Sequence, residues 1–236
     1  MKKFAFSIGL FCCLPFLVNA QIDYWQGGIF IGGTAFSGDV NPQASPDPTE
    51  IDLSFGFVGR VDVTPKLGFR GSLSYARFKG DDINYPERAD RGFRFDTKMF
   101  EFLGVAEWEP FASNRYYSNA RGGVEMDLLV SPYLFVGAGA GFANLDTDFS
   151  GYTGNNPVIE QGIFADRSQG SSKVAFVVPF GLGIKFDISS AFTLGLEFGG
   201  RLSFSDYLDG ISESAGPDRD DLYFISGLIA YYRFTN

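Results

Sequence analysis

Apolar and polar residues alternate strictly along several stretches of this chain, most clearly from Phe192 to Phe204. Six large apolar residues share one face of this stretch: Phe192, Leu194, Leu196, Phe198, Leu202 and Phe204. The opposite face carries Glu197, Arg201 and small or polar residues. Side chains of a β-strand point alternately to its two faces, so this pattern predicts a strand with one apolar and one polar face. Such a strand fits a soluble sandwich, or a membrane barrel whose apolar face meets lipid while its charges point into the lumen.

The N-terminus favours export and therefore the barrel. Lys2 and Lys3 precede an apolar run that continues to about Val18, and Val18-Asn19-Ala20 resembles a small-residue cleavage site. We predict a secretory signal peptide over residues 1–20 and a single mature domain over residues 21–236. A transmembrane anchor is the weaker alternative, because the run is shorter than the ~20 residues that a membrane-spanning helix needs.

Composition argues against several functional classes. Both cysteines, Cys12 and Cys13, fall in the predicted signal peptide, and the chain has no histidine. The mature domain therefore cannot form a disulfide, and it lacks the base of Ser-His and Cys-His catalysis and the commonest metal ligand. The formal charge is −9, and losing two lysines with the signal peptide takes it to −11. This acidic balance disfavours nucleic acid as a partner. We expect a protein that is not an enzyme and that has no cofactor.

The spacing of the alternating stretches predicts an antiparallel barrel. We expect eight strands, at about 24–36, 51–63, 67–78, 95–109, 132–144, 173–187, 192–204 and 222–234. Short connections at 64–66 and 188–191 contrast with long polar ones at 37–50, 79–92, 145–171 and 205–220. An even number of strands, joined by short periplasmic turns and long outer loops, is typical of an all-β, up-and-down outer-membrane barrel.

Two features qualify this strand assignment. The connection at about 110–123 is long although it falls at the periplasmic end. It is either a periplasmic excursion or a sign that the strand count is wrong there. No long segment has helical periodicity.

Charged residues on the predicted inner faces form the main candidate site. There are eight of them: Arg60, Asp62, Arg70, Glu101, Glu107, Lys185, Glu197 and Arg201. An eight-stranded barrel is only wide enough for side chains to fill, and an unpaired buried ion costs several kcal/mol. We therefore predict a network of paired charges that plugs the lumen. A path for ions or a substrate is the alternative interpretation.

Other candidate sites give weaker signals. The run Gly137-Ala138-Gly139-Ala140-Gly141 lacks the strand–helix context of a nucleotide-binding loop, and we interpret it as small residues on a curved strand. The acidic stretches 81–84 and 218–221 lack calcium-loop spacing, and we interpret them as solvated loops. Asp206 and Asp209 could form a protease-like carboxylate pair, but hydrated acids at the barrel rim are the simpler interpretation.

Several stretches also resemble a known family. Residues 77–82 (RFKGDD) and 91–102 (RGFRF leading into FEF), 132–139 (PYLFVGAG) and 205–212 (SDYLDGIS) are the segments concerned. They are similar to the GRLSGDD, NRNLSFRS, YELS, PYLFAGVG and TDYLDDVS patterns of small Bacteroidota-type outer-membrane β-barrels. One member of that family is associated with the type IX secretion apparatus. The resemblance implies an outer-membrane location, surrounding lipid, and periplasmic secretion-machinery proteins as partners. The long insertion at 145–171 and the terminal Thr235-Asn236 depart from the family pattern.

The sequence thus predicts a non-enzymatic outer-membrane barrel that acts as a structural or docking component, with a link to protein secretion implied by the resemblance. The alternative functions are a surface-loop binding or adhesion protein and a narrow pore. An exported soluble sandwich is a further alternative. It requires Leu194, Leu196 and Phe198 to be buried and Glu197 and Arg201 to be outermost.

Overall fold

The computed structural model describes residues 25–37, 50–86, 88, 90–112, 116–118, 124–126, 130–205, 207–215 and 221–234. The strands are β1 (Trp25–Ser37), β2 (Asp52–Thr64), β3 (Leu67–Asp81), β4 (Arg94–Trp108), β5 (Tyr116–Ser118), β6 (Val124–Met126), β7 (Val130–Asp148), β8 (Ser172–Asp187), β9 (Phe192–Ser203) and β10 (Leu222–Phe234). An α-helix, α1 (Pro157–Ser168), lies between β7 and β8. The predicted signal peptide lies outside the described residues and stays a prediction.

Eight of these strands form a closed antiparallel barrel in the order β1-β10-β9-β8-β7-β4-β3-β2. The first and last strands close it, with pairing from Trp25–Phe234 at one end to Ser37–Leu222 at the other. Closure leaves no barrel strand with an unpaired edge, which is what a sheet in hydrocarbon requires. The predicted fold class is therefore confirmed, and the eight barrel strands match the predicted ones within a few residues.

The long periplasmic connection is an excursion and not an error in the strand count. β5 and β6 pair with each other as a separate two-stranded sheet, and β4 pairs directly with β7. The long polar connection predicted at 145–171 contains the 12-residue helix α1. Asn156 caps this helix by accepting a hydrogen bond from the Val158 N–H at 3.0 Å, and Pro157 occupies its first turn. These are local start signals that periodicity over so short a segment does not reveal.

The apolar faces of the strands point outward. Leu194 and Phe198 are 44% and 53% exposed, whereas Glu197 and Arg201 are 3% and 6% exposed. A sandwich would reverse this arrangement, so the soluble alternative is wrong. A barrel with an apolar exterior and a polar interior is the structure of an outer-membrane protein, with lipid against its outer wall. Among the described residues, no helix has the length and hydropathy to cross a membrane.

The height of the apolar wall can be read along β4. Phe100, Phe102 and Trp108 point outward and are each at least half exposed. From Phe100 to Trp108 the strand rises by roughly 21 Å along the barrel axis at a tilt of about 40°, close to the ~25 Å apolar band of such barrels. Beyond Phe100 the outward positions are Lys98, Asp96 and Arg94, so β4 continues past the lipid on the outer side.

The outer mouth of the barrel is closed by an apolar cap. Leu208 and Ile211, from the connection between β9 and β10, are fully buried, and Ile163 of α1 is 8% exposed. They belong to the same apolar core as residues on the inner strand faces, among them Phe78 and Met99. The cap thus joins the loops and the barrel in one core.

The glycine-rich run lies within β7, where close strand approach demands small residues. A Cβ atom at Gly139 would lie 2.1 Å from the carbonyl oxygen of Phe102, and one at Gly137 would lie 2.2 Å from that of Gly104. On the lipid-facing side, a Cβ at Gly71 would meet nothing within 4 Å. The run therefore serves strand packing.

Candidate functional site: the charged lumen

Six of the eight predicted lumen residues meet near the periplasmic end. They are Arg60, Asp62, Arg70, Glu107, Lys185 and Glu197, and with Glu109 we call them the charge cluster. The six predicted residues come from β2, β3, β4, β8 and β9, each at a position that the two-residue period turns inward, and Glu109 directly follows β4. Five strands thus supply one cluster.

Glu107 is the centre of the charge cluster. Its carboxylate lies 2.7 Å from Arg60 Nε, 2.5 Å from Lys185 Nζ and 3.1 Å from Arg70 Nε. The Glu107 side chain has no exposed surface. Three cations therefore share one fully buried carboxylate, and its loss would leave all of them short of negative charge.

Glu109 is the second carboxylate of the cluster. It lies 2.7 Å from Arg60 Nη2 and 2.8 Å from Lys185 Nζ, and it accepts a hydrogen bond from the Ser131 hydroxyl at 2.5 Å. Glu109 was not among the predicted lumen residues. The alternation that selected Glu101 and Glu107 includes it, so the signal was present at the end of the predicted strand.

Arg70 links this group to the middle of the barrel. Its Nη1 lies 2.6 Å from Glu197, which also accepts a hydrogen bond from the Tyr133 hydroxyl at 2.9 Å. The Arg70 guanidinium donates a further hydrogen bond to the Tyr231 hydroxyl at 3.2 Å. Neither tyrosine was predicted as a lumen residue, although the alternation that places Leu134 and Tyr232 on the outer face also turns Tyr133 and Tyr231 inward.

The charges within the cluster nearly balance. Arg60, Arg70 and Lys185 face three deeply buried carboxylates, those of Glu107, Glu109 and Glu197. The Asp62 carboxylate pairs with Arg60 at 2.6 Å but is 29% exposed, so water also solvates it. Matched buried charges of this kind avoid the several kcal/mol that an isolated interior ion costs.

The other two predicted residues, Glu101 and Arg201, do not join the charge cluster. Glu101 accepts hydrogen bonds from the hydroxyls of Ser74, at 3.1 Å, and Tyr223. Within the described parts of the chain, Arg201 donates only a long hydrogen bond, 3.4 Å from its Nη1 to the Ile225 carbonyl oxygen. A cavity of about 30 Å³ lies beside it, with Arg70, Ser72, Ser74, Glu197 and Arg201 among its lining residues.

A further polar group lies at the periplasmic rim. Asp187 accepts a hydrogen bond from the Thr193 hydroxyl at 2.7 Å and lies 3.9 Å from Arg233 Nη2. Arg233 also donates to the Ser190 carbonyl oxygen in the short β8–β9 turn. These contacts place charged side chains at the periplasmic mouth of the barrel, whereas the apolar cap covers the outer mouth.

Three residues of the weaker candidate sites differ from expectation. Asp82 is fully buried and accepts a hydrogen bond from Arg91 Nε at 2.7 Å, so the solvated-loop interpretation was wrong for it. Asp209 and Asp221 are also buried, at 0% and 2% exposed, so Asp209 is not a hydrated rim acid and Asp221 is not part of a solvated loop. Asp206 and the 218–220 part of the second acidic stretch lie outside the described residues. In the described part of the chain, no three His, Cys, Asp or Glu side chains are grouped as metal ligands.

Comparisons with known proteins give a family match and a set of structural likenesses. A family model described as "Domain of unknown function (DUF6089)" matches residues 2–235. No curated protein is significantly similar in sequence.

The structural likenesses are at low sequence identity. The chain is similar to the attachment invasion locus protein Ail of Yersinia pestis, at 16% identity, with 90% of this chain and 99% of that chain covered and a TM-score of 0.45. Neisserial surface protein A is similar at 12% identity, with 90% of this chain and 97% of that chain covered and a TM-score of 0.46. A major outer membrane protein of Thermus thermophilus is similar at 12% identity, with 89% of this chain and 99% of that chain covered and a TM-score of 0.47.

Proposed function

The chain belongs to the DUF6089 family, and on that premise we propose that it is a sealed, non-enzymatic outer-membrane barrel that acts as a structural or docking component. The observation that carries this proposal is the filled lumen. Arg60, Glu107 and Lys185 are each at most 2% exposed, and they cross the interior where a pore would have to run. The apolar cap, with fully buried Leu208 and Ile211, blocks the outer end as well.

Conductance measurements test whether the barrel is sealed. The purified barrel is reconstituted in planar bilayers, and its folded state is checked by heat-modifiable gel mobility. We expect no stable single-channel currents, because the charge cluster occupies the lumen cross-section. Reproducible currents from the folded wild-type barrel would refute the sealed state and support the narrow-pore alternative.

A docking role would place the partner contact at the periplasmic end. The β5–β6 excursion is the longest connection at this end, and it forms its own sheet outside the barrel. The sequence resemblance supports secretion-machinery proteins as its partners. Because the excursion is not part of the barrel wall, it can be removed without breaking a barrel strand.

Deletion of residues 112–122 tests this link. We expect the deletion to leave the barrel in the outer membrane but to reduce secretion and the capture of secretion-machinery subunits from solubilised membranes. A matched deletion of residues 216–220, in an outer connection, should leave both unchanged. Normal secretion by the first deletion, at normal barrel levels, would contradict the docking role.

A second candidate, surface binding, has an observation in its favour. Val158 and Phe164 of α1 are 72% and 79% exposed at the outer end, beyond the apolar wall. Replacing both with serine should reduce cell adhesion to apolar surfaces if α1 acts as a contact site. The exposed Glu160→Ser variant on the same helix is the matched control, and equal adhesion by all variants would eliminate this candidate.

A further inference from the structure

Arg201 is a buried cation for which the described residues provide no carboxylate partner. The residue is 6% exposed, and no carboxylate of these residues lies within ion-pair distance of its guanidinium. Its Nε is buried and has no hydrogen-bond partner among them, while Nη1 reaches only the Ile225 carbonyl oxygen, at 3.4 Å. A guanidinium has five N–H donors, so most of the N–H groups of Arg201 have no acceptor among the described residues.

The carboxylates of this part of the lumen are engaged elsewhere. Glu197 lies 2.6 Å from Arg70, and Glu101 accepts hydrogen bonds from Ser74 and Tyr223. Arg201 therefore lacks the direct carboxylate contact that every cation of the charge cluster has. A buried guanidinium whose N–H groups have lost water without gaining an acceptor is destabilising, and an anion held against it would supply that acceptor.

The space for such an anion lies directly beside Arg201. The cavity of about 30 Å³ is lined by the polar side chains of Arg70, Ser72, Ser74, Glu197 and Arg201. A water molecule needs about 10–15 Å³ measured in this way, so the cavity holds one or two waters or one monatomic anion. The remaining lining is mainly apolar, including Phe30, Leu103 and Ile229, and it is unsuited to a strongly hydrated polyatomic anion.

We propose that this cavity binds one halide-sized monovalent anion, chloride, against the Arg201 guanidinium, with the Ser72 hydroxyl as a further donor. A water molecule would be a neutral acceptor, whereas an anion would form stronger, charge-assisted hydrogen bonds with the guanidinium. A bound chloride would also join β3 to β9 through a shared ion. The site is independent of whether the barrel docks to secretion proteins, because it lies inside the wall.

Halide-dependent unfolding tests the proposal. The full barrel is refolded in detergent at constant ionic strength while sodium chloride replaces sodium gluconate, and thermal unfolding is followed. Above the dissociation constant, a tenfold rise in chloride should lower the unfolding equilibrium constant about tenfold, since the ion binds only the folded state. Bromide should act similarly, and an anomalous signal in crystals grown with sodium bromide should lie beside Arg201.

Three variants make the result specific. Arg201→Gln should abolish the halide response, and Ser72→Val should abolish it by filling the cavity while leaving Arg201 in place. Arg77→Gln, which removes an arginine from the barrel exterior, should retain it. The proposal would be overturned if the wild type showed no halide response, or if the response survived in both Arg201→Gln and Ser72→Val. Crystals without bromide in the cavity would also overturn it. If Arg201→Gln does not fold, the halide response of Ser72→Val and the position of bromide in the crystal still test the proposal.

Discussion

The strongest energetic prediction concerns Glu107→Gln. The substitution keeps the shape of the side chain but removes the charge shared by Arg60, Arg70 and Lys185 at distances of 2.7, 3.1 and 2.5 Å. Arg60 and Lys185 keep Glu109, and Arg70 keeps Glu197, so the cluster is weakened without being emptied. Because breaking one buried pair costs about 3–5 kcal/mol, we expect a loss of about 4 kcal/mol in the free energy of unfolding.

Tryptophan fluorescence supplies the assay. The chain has two tryptophans, Trp25 and Trp108, and both are at least half exposed on the outer wall near the periplasmic end. Unfolding by urea should move both from lipid to water, so one signal follows the barrel in vesicles. Asp96→Asn is the matched control, because the exterior Arg77–Asp96 pair should contribute less than about 1 kcal/mol.

The outcome that would refute this reasoning is a Glu107→Gln barrel within about 1 kcal/mol of the wild type, since the loss would then be no larger than that of a surface pair. A second variant separates charge from packing. The double variant, in which both Glu107 and Lys185 are replaced by methionine, removes one cation along with the carboxylate. We expect the double variant to be less destabilised than the sum of the two single ones.

Three further predictions address other parts of the molecule. Glu197→Ala should destabilise the barrel by about 3–5 kcal/mol in urea unfolding without opening a conductance, because Arg70 loses one of its two carboxylates. Asp166→Ala should speed amide hydrogen exchange at residues 212–214, whose N–H groups donate to the Asp166 carboxylate at 3.0–3.4 Å, while strand exchange stays unchanged. Gly139→Ala should prevent folding or cost more than about 3 kcal/mol because its Cβ would meet a backbone oxygen, whereas Gly71→Ala should be neutral within about 0.5 kcal/mol by the same urea assay.

The sequence predicted which side chains enter the lumen better than which ones meet there. Alternation alone decides that Glu197 and Arg201 point inward, because a two-residue period leaves no other choice once the exterior is apolar. It does not decide that Glu197 meets Arg70, which is 127 residues away. That contact depends on how the strands are staggered around the barrel, and no single strand encodes the stagger.

The cap was not predictable from the same signal. Leu208 and Ile211 lie in a connection without strand periodicity, and α1 has only 12 residues, with Ile163 as its most deeply buried apolar side chain. Their burial comes from contacts between connections that are distant in sequence. Asp166 illustrates this, since it accepts a hydrogen bond from the Ser214 hydroxyl 48 positions later. Local patterns do not indicate a contact between two ordinary polar residues that lie so far apart in sequence.

The span of the Arg70 contacts has a kinetic consequence. Arg70 on β3 finds Glu197 and Tyr231 at sequence separations of 127 and 161 residues, and the last of these lies on the strand that pairs with β1. The guanidinium therefore acquires its full set of partners only when β10 pairs with β1 and closes the barrel. Chains dominated by such distant pairings fold slowly. Before the barrel closes, Arg70 lacks these partners while the strands enter the bilayer. An insertion catalyst would therefore have its largest effect on the step before closure.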